Sequence, residues 1–130
     1  MHWHAALAVA IGGGVGAVTR YAVSLACAAW LGDRFGYGTL AVNVAGCFLL
    51  GLLTHGGLAE AARAPWLSHP GLTAGLLGGL TTFSAFGLQS VAHLERGEWL
   101  LGVGNVAANV VLGCAAAAAG LAASRALGPA

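Results

Sequence analysis

The sequence predicts an all-α membrane protein with four transmembrane helices in a single domain spanning residues 1–130. Three observations carry this. Of 130 residues, 58% are hydrophobic and only 7% charged, against roughly 25% charged in soluble domains, so too few charges exist to cover a water-facing surface. Arg20 apart, the charges fall between or at the ends of four apolar runs, each near the ~20 apolar residues that a spanning helix needs. Trp30, Trp66 and Trp99 sit at the ends of those runs, where indoles favour the membrane interface.

The first helix is expected over Ala5 to Trp30, with Arg20 as its one charge and a Gly12-x-x-x-Gly16 spacing that lets helix backbones approach closely. Gly32 to Gly36 form a short connector. The second helix, Tyr37 to Leu58, puts Thr39, Asn43 and Cys47 on one face by their spacing of four, with Gly46 and Gly51 as further small positions. Glu60 to Pro70 follow, with Pro65 and Pro70 as helix stops. The third helix, Gly71 to His93, is expected to break near its centre. Gly78-Gly79 followed by Thr81-Thr82 weakens the backbone ladder, and a break is tolerated in lipid only where freed carbonyls find protein, water or an ion. After Glu95 to Glu98, the fourth helix runs from Trp99 to Ser124, with Asn105, Asn109 and Gly113 four residues apart and an alanine-rich end.

The net charge is +1, without a lysine or a basic run, which excludes an electrostatic nucleic-acid partner. Cys27, Cys47 and Cys114 are odd in number and lie in apolar stretches, and are expected as buried small hydrophobes rather than disulfide or metal ligands. His2, His4, His55, His69 and His93 lie near helix ends and are expected at the solvated interface. The N-terminus has no basic n-region, so no cleaved signal peptide is expected. Ser84 has no base in reach at membrane depth, and no enzyme is expected.

Four spans place Arg63 and Arg125 on one side and Arg34 and Arg96 on the other. Two against two gives the positive-inside rule nothing to act on, which permits insertion both ways and an antiparallel dual-topology homodimer; an orientation fixed by local features stays open.

Polar groups at membrane depth are Arg20, Thr39, Asn43, Thr81, Thr82, Ser84, Gln89, Asn105 and Asn109, without a carboxylate. Donors in a row without acids suit a small desolvated anion. The same residues could instead bond only across helices, at about 0.6–2 kcal/mol each. Phe83 and Phe86 could present positive ring edges to an anion, or could simply pack.

Gly12-Gly13-x-x-Gly16-Ala17-x-x-Arg20-Tyr21, Gly38-Thr39-Leu40-x-Val42-Asn43-x-x-Gly46 and Gly78-Gly79-x-Thr81-Thr82-Phe83-Ser84 together resemble the Fluc (CrcB) fluoride channel family, in the right order over nearly the whole chain. The resemblance implies a dual-topology antiparallel homodimer in the bacterial inner membrane, with two pores that export cytoplasmic fluoride passively. It implies a fluoride pathway drawn from Asn43, Phe83, Phe86, Ser84, Thr82, Asn105, Asn109, Arg20 and Thr39. Among these Asn43 is the pore asparagine, Phe83 and Phe86 the two pore phenylalanines, and Arg20 lies near the vestibule. It also implies a structural Na⁺ at the dimer centre, held by the backbone carbonyls of Gly78 and Thr81 from each subunit. The sequence departs from the family pattern at Gly87 and Gln89, where Ser and Glu are common, at Cys47, where Ser is frequent, and at Asn105 and Asn109, where aromatic or hydroxyl residues often stand.

Two other classes compete. A proton-coupled small multidrug exporter shares four helices and dual topology, but needs a helix 1 carboxylate that Ala5 to Trp30 lacks. A membrane scaffold would carry no ion at all.

Overall fold

The computed structural model describes residues 3–54, 58, 60 and 62–128. Its helices are α1 (Trp3–Leu31), α2 (Tyr37–Thr54), α3, α4 (Phe83–Glu95) and α5 (Trp99–Leu127). α3 begins as a π-helical stretch, Gly71–Leu77, and continues as an α-helical turn, Gly78–Leu80. A 3-10 turn, Pro65–Ser68, precedes it. Four segments are long and apolar enough to cross a membrane: Trp3–Leu31, Tyr37–Thr54, Gly71–Glu95 and Trp99–Leu127. The end expected for the second helix at Leu58 depends on residues 55–57, which lie outside the described residues, as do His2 and His55.

α1 and α5 each have 29 residues, or about 43 Å at 1.5 Å per residue, more than the ~30 Å hydrocarbon core. That excess leaves room for tilt or for ends at the interface, and Trp30 and Trp99 are exposed near those ends. α1 stops at Gly32, whose φ of +82° suits a residue without a Cβ.

Small residues, rather than an apolar core, set the packing. α1 crosses α3 backbone to backbone, so a Cβ on Gly16 would run into the carbonyl of Leu76, and one on Gly79 into that of Gly13. α2 crosses α5 in the same way, with Gly51 against Ala117 and Gly120 against Phe48. α4 lies on α5, and α1 also touches α2. Such crossings rest on van der Waals contact and on short paths for interhelical hydrogen bonds, because lipid removes the hydrophobic drive between helices. Only Val42, Leu53, Leu77 and Phe86 are buried apolar residues among those described, and the outer faces of α1 and α5 present Leu, Ile and Val outward. Arg34 and Gly97 to Leu101 line one cavity, so the α1–α2 and α4–α5 connections meet at the same end of the bundle.

Two expectations are corrected here. His93 is not at a solvated interface; it is 4% exposed and bonded to Glu98. Cys114 is exposed on α5 rather than buried, while Cys27 and Cys47 are half-buried, and all three are free thiols.

Candidate functional site

Between α3 and α4 two residues are extended: Thr81 at φ −82°, ψ 155° and Thr82 at φ −153°, ψ 120°. Local chemistry explains both ends. The Thr81 hydroxyl and N–H each donate to the Leu77 carbonyl, at 3.1 Å, and the Thr82 hydroxyl caps α4 by accepting the Ala85 N–H at 3.2 Å, as N-cap residues do. β-Branched threonines also suit the extended backbone they occupy.

Asn43 of α2 meets this interruption with its side-chain amide. Its Oδ1 accepts the Thr82 N–H at 2.8 Å, and its Nδ2 donates to the Thr82 carbonyl at 3.1 Å and to Asn109 Oδ1 at 2.9 Å. A chain of bonds then continues along α5. Asn109 Nδ2 donates to both Oδ1 and the carbonyl of Asn105, each at 3.0 Å. Asn105 Nδ2 donates to Ser90 Oγ at 2.9 Å, and Ser90 donates to the Phe86 carbonyl at 2.8 Å. Asn105 itself is 0% exposed. The direction of this chain is settled at both ends, because the Thr82 N–H can only donate and the Phe86 carbonyl can only accept. No amide along it can be turned round without opposing two donors or two acceptors.

Carbonyls ahead of the interruption lose their helical donors in consequence, those of Gly78 and Thr81 among them. A continuous helix would send the Thr82 N–H to the Gly78 carbonyl and the Ala85 N–H to that of Thr81. Instead these go to Asn43 Oδ1 and Thr82 Oγ1.

Asn43, Thr82, Phe83, Phe86 and Asn109 share one open groove of about 620 Å³, and Gly78 and Thr81 lie on its wall. Gly46 lets the helices close there, since a Cβ on it would strike the methyl of Thr81. Phe83 is 82% exposed and Phe86 only 7%; their rings meet edge to face with centroids 5.1 Å apart. Thr82 and Ser84 share one hydroxyl–hydroxyl bond at 3.1 Å, so in either direction one O–H of the pair remains available.

The other expected residues lie elsewhere. Thr39 is buried and accepts from Gln89 Nε2 at 3.0 Å, in a separate cavity of about 150 Å³ beside Gly36. Gln89 Oε1 is buried without a partner. Arg20 is half-buried on α1, its Nε also without a partner, and lines neither cavity.

Sequence reasoning missed Ser90, which carries the amide chain from α5 to α4. Its position four residues after Phe86 was the available signal, since a hydroxyl there can reach back to the i−4 carbonyl. It also missed the cluster at the α4–α5 turn, where Glu98 Oε2 takes His93 Nδ1 at 2.6 Å and Arg96 Nε at 3.1 Å. The His93 hydrogen bond first, and Arg96 second, hold the Glu98 carboxyl below its ordinary range.

Known proteins resemble this chain along most of its length. A Rhizobium etli (strain CIAT 652) protein named fluoride-specific ion channel FluC is 44% identical over 122 residues, covering 94% of this chain and 97% of its own. The protein of that name from Paracoccus denitrificans (strain Pd 1222) is 44% identical over 124 residues, 95% of this chain and 97% of its own. The one from Dehalococcoides mccartyi (strain CBDB1) is 43% identical over 107 residues, 82% of each. The family described as CrcB-like protein, Camphor Resistance (CrcB), matches residues 7–121, and the chain belongs to that family.

Proposed function

We propose that this protein is a fluoride-selective ion channel, not an enzyme, sitting as a multi-pass protein in the bacterial membrane and letting cytoplasmic fluoride leave passively. The observation that carries this is the 44% identity, over 97% of its length, to a relative named as a fluoride-specific ion channel. The spans support a channel over a proton-driven exporter, since no Asp or Glu lies within α1, α2 or α5 and Glu95 only ends α4, whereas proton coupling uses a membrane carboxylate.

The finer reading is an antiparallel homodimer of dual topology with two pores, each drawing on Asn43, Thr82, Phe83, Ser84, Phe86, Asn105 and Asn109, with Arg20 and Thr39 toward the aqueous ends. Three features support it. Phe83 stands exposed beside the open groove, as a residue completed by a second subunit would. The Thr82–Ser84 pair keeps one O–H free for an acceptor. The amide donors are already paired within the protein, so an entering anion must out-compete an amide or backbone carbonyl. Fluoride, the smallest halide and the strongest acceptor among them, competes best for such donors, which would give selectivity by donor competition.

A structural Na⁺ fits the residues present. Hard monovalent cations take oxygen ligands, and the Gly78 and Thr81 carbonyls have both lost their helical donors. Bound between two subunits, the ion would supply the positive charge that holds four such carbonyls together.

The test is fluoride efflux from liposomes read with a fluoride electrode. Rapid fluoride loss with chloride retained is expected. No fluoride efflux, or equal movement of chloride, overturns the reading, and substrate-driven proton movement would favour an exporter. Phe83→Ile and Phe86→Ile are each expected to cut fluoride flux by at least tenfold while assembly persists; unchanged flux removes the ring-edge role.

A further inference from the structure

We infer that Asn43 is a positioning residue, whose amide substitutes for a missing helical rung and holds the backbone open at Thr82. The pairing is specific to a primary amide. In an extended residue the N–H and carbonyl point to the same side, so one side chain with an acceptor and a donor on a single carbon can take both. Asn43 does so, at 2.8 and 3.1 Å. An aspartate offers acceptors only, and a glutamine holds the same groups one methylene too far away.

The approach of α2 is built for this contact. Gly46 lies three residues after Asn43, on the same face, and the Thr81 methyl occupies the space a Cβ on Gly46 would need. α2 is therefore seated directly against the interruption. The remaining amide hydrogen is turned to Asn109, which fixes the amide's rotation. Both hydrogens of Nδ2 thus have protein acceptors, so Asn43 acts through the Thr82 backbone. The Thr82 N–H that Asn43 holds is the one a continuous helix would give to the Gly78 carbonyl.

Only the consequence for ion movement rests on the channel reading; the clasp itself does not. Hydrogen exchange at individual backbone amides of the detergent-embedded protein tests it. In the wild type the Thr82 amide exchanges slowly. Asn43→Ala is expected to speed its exchange by about tenfold or more, the factor that one buried hydrogen bond supports, while the amides of α5 beside Gly120 stay protected. Asn43→Asp keeps the acceptor and is expected to keep the Thr82 amide slow, yet to lose fluoride efflux because the Thr82 and Asn109 oxygens then face a carboxylate. Unchanged Thr82 exchange in Asn43→Ala overturns the inference, as does fast exchange in Asn43→Asp. Should the alanine variant not assemble, Asn43→Gln is read instead, with the same acceleration expected and its absence equally decisive. A wild type without fluoride efflux overturns the channel reading and leaves the exchange result standing.

Discussion

Two polar regions meet at Thr82 and behave oppositely. The amide chain of Asn43, Asn109, Asn105 and Ser90 is closed, since each donor has an acceptor inside the subunit and the direction is fixed from both ends. The interruption beside it is open: the Gly78 and Thr81 carbonyls have lost their donors, one hydroxyl of the Thr82–Ser84 pair keeps a free proton, and Phe83 faces outward. In lipid an unpartnered polar group costs free energy. The closed region thus carries stability and offers only donors that an anion must win from protein acceptors, while the open one is where an ion or a second subunit completes the bonding.

Breaking the closed region is expected to give the largest effect on stability. Asn109→Leu keeps the branched shape of the side chain but removes the acceptor of Asn43 and both donors to Asn105, leaving buried groups without partners. A loss of about 2 kcal/mol is expected, read as a lowered midpoint of thermal unfolding in detergent. A midpoint unchanged from wild type would show that the chain does not carry stability, and the contrast with the interruption would collapse.

The open region should answer in the opposite way. Phe83→Ala removes an exposed ring that meets Phe86 edge to face, so the unfolding free energy of the detergent-separated subunit should change by less than about 0.5 kcal/mol. Fluoride efflux, by contrast, should fall by at least tenfold. Equal losses in both measurements would place Phe83 in the scaffold.

Gln89 stands between the two regions in kind, with one amide group bonded to Thr39 and the other unpartnered. Gln89→Leu deletes a hydrogen bond and an orphaned oxygen together, and replacing a polar group that is only half satisfied is nearly neutral. The expected change in unfolding is within about 1 kcal/mol, of either sign. A loss as large as that of Asn109→Leu would mean that the amide is fully bonded in the membrane.

The closed and open regions were unequally legible in the sequence. The four spans were plain, because charge and tryptophan placement report the solvent directly, and Gly16, Gly51, Gly79 and Gly120 all fall at helix crossings. Asn43, Asn105 and Asn109 could be named as polar residues at membrane depth, but composition left two readings of equal standing. Only three-dimensional register decides whom an amide faces, and here it faces other amides. Ser90 escaped notice because a serine four residues after a phenylalanine looks the same whether it serves its own helix or bridges to another. The π-helical turns of Gly71–Leu77 left no periodic trace either, since one residue more per turn over seven residues shifts a pattern too little to see. His93 was misplaced because nearness to a helix end in sequence does not say which way the ring points.

The smallest effect is expected at the α4–α5 turn, where Glu98 is bonded to a buried His93 on one side and to a solvent-exposed Arg96 on the other. Glu98 has a lowered folded-state pKa, through the His93 hydrogen bond first and Arg96 second. A group of this kind adds stability above its unfolded pKa of about 4, and that addition is lost as pH falls through the depressed folded value. Wild-type protein should therefore lose a little thermal stability on acidification below the usual carboxylate range. Glu98→Gln retains an oxygen able to accept from His93 Nδ1, and so removes the charge without removing the hydrogen bond. Its unfolding midpoint should lie slightly below wild type at neutral pH and converge with it in acid. Water screens the exposed Arg96–Glu98 pair strongly, and for that reason this cluster should matter less than the amide chain, in which Ser90, Asn105 and Asn109 are buried. A gap between Glu98→Gln and wild type that widened in acid would reverse the sign of this linkage and remove the ion pair from the account.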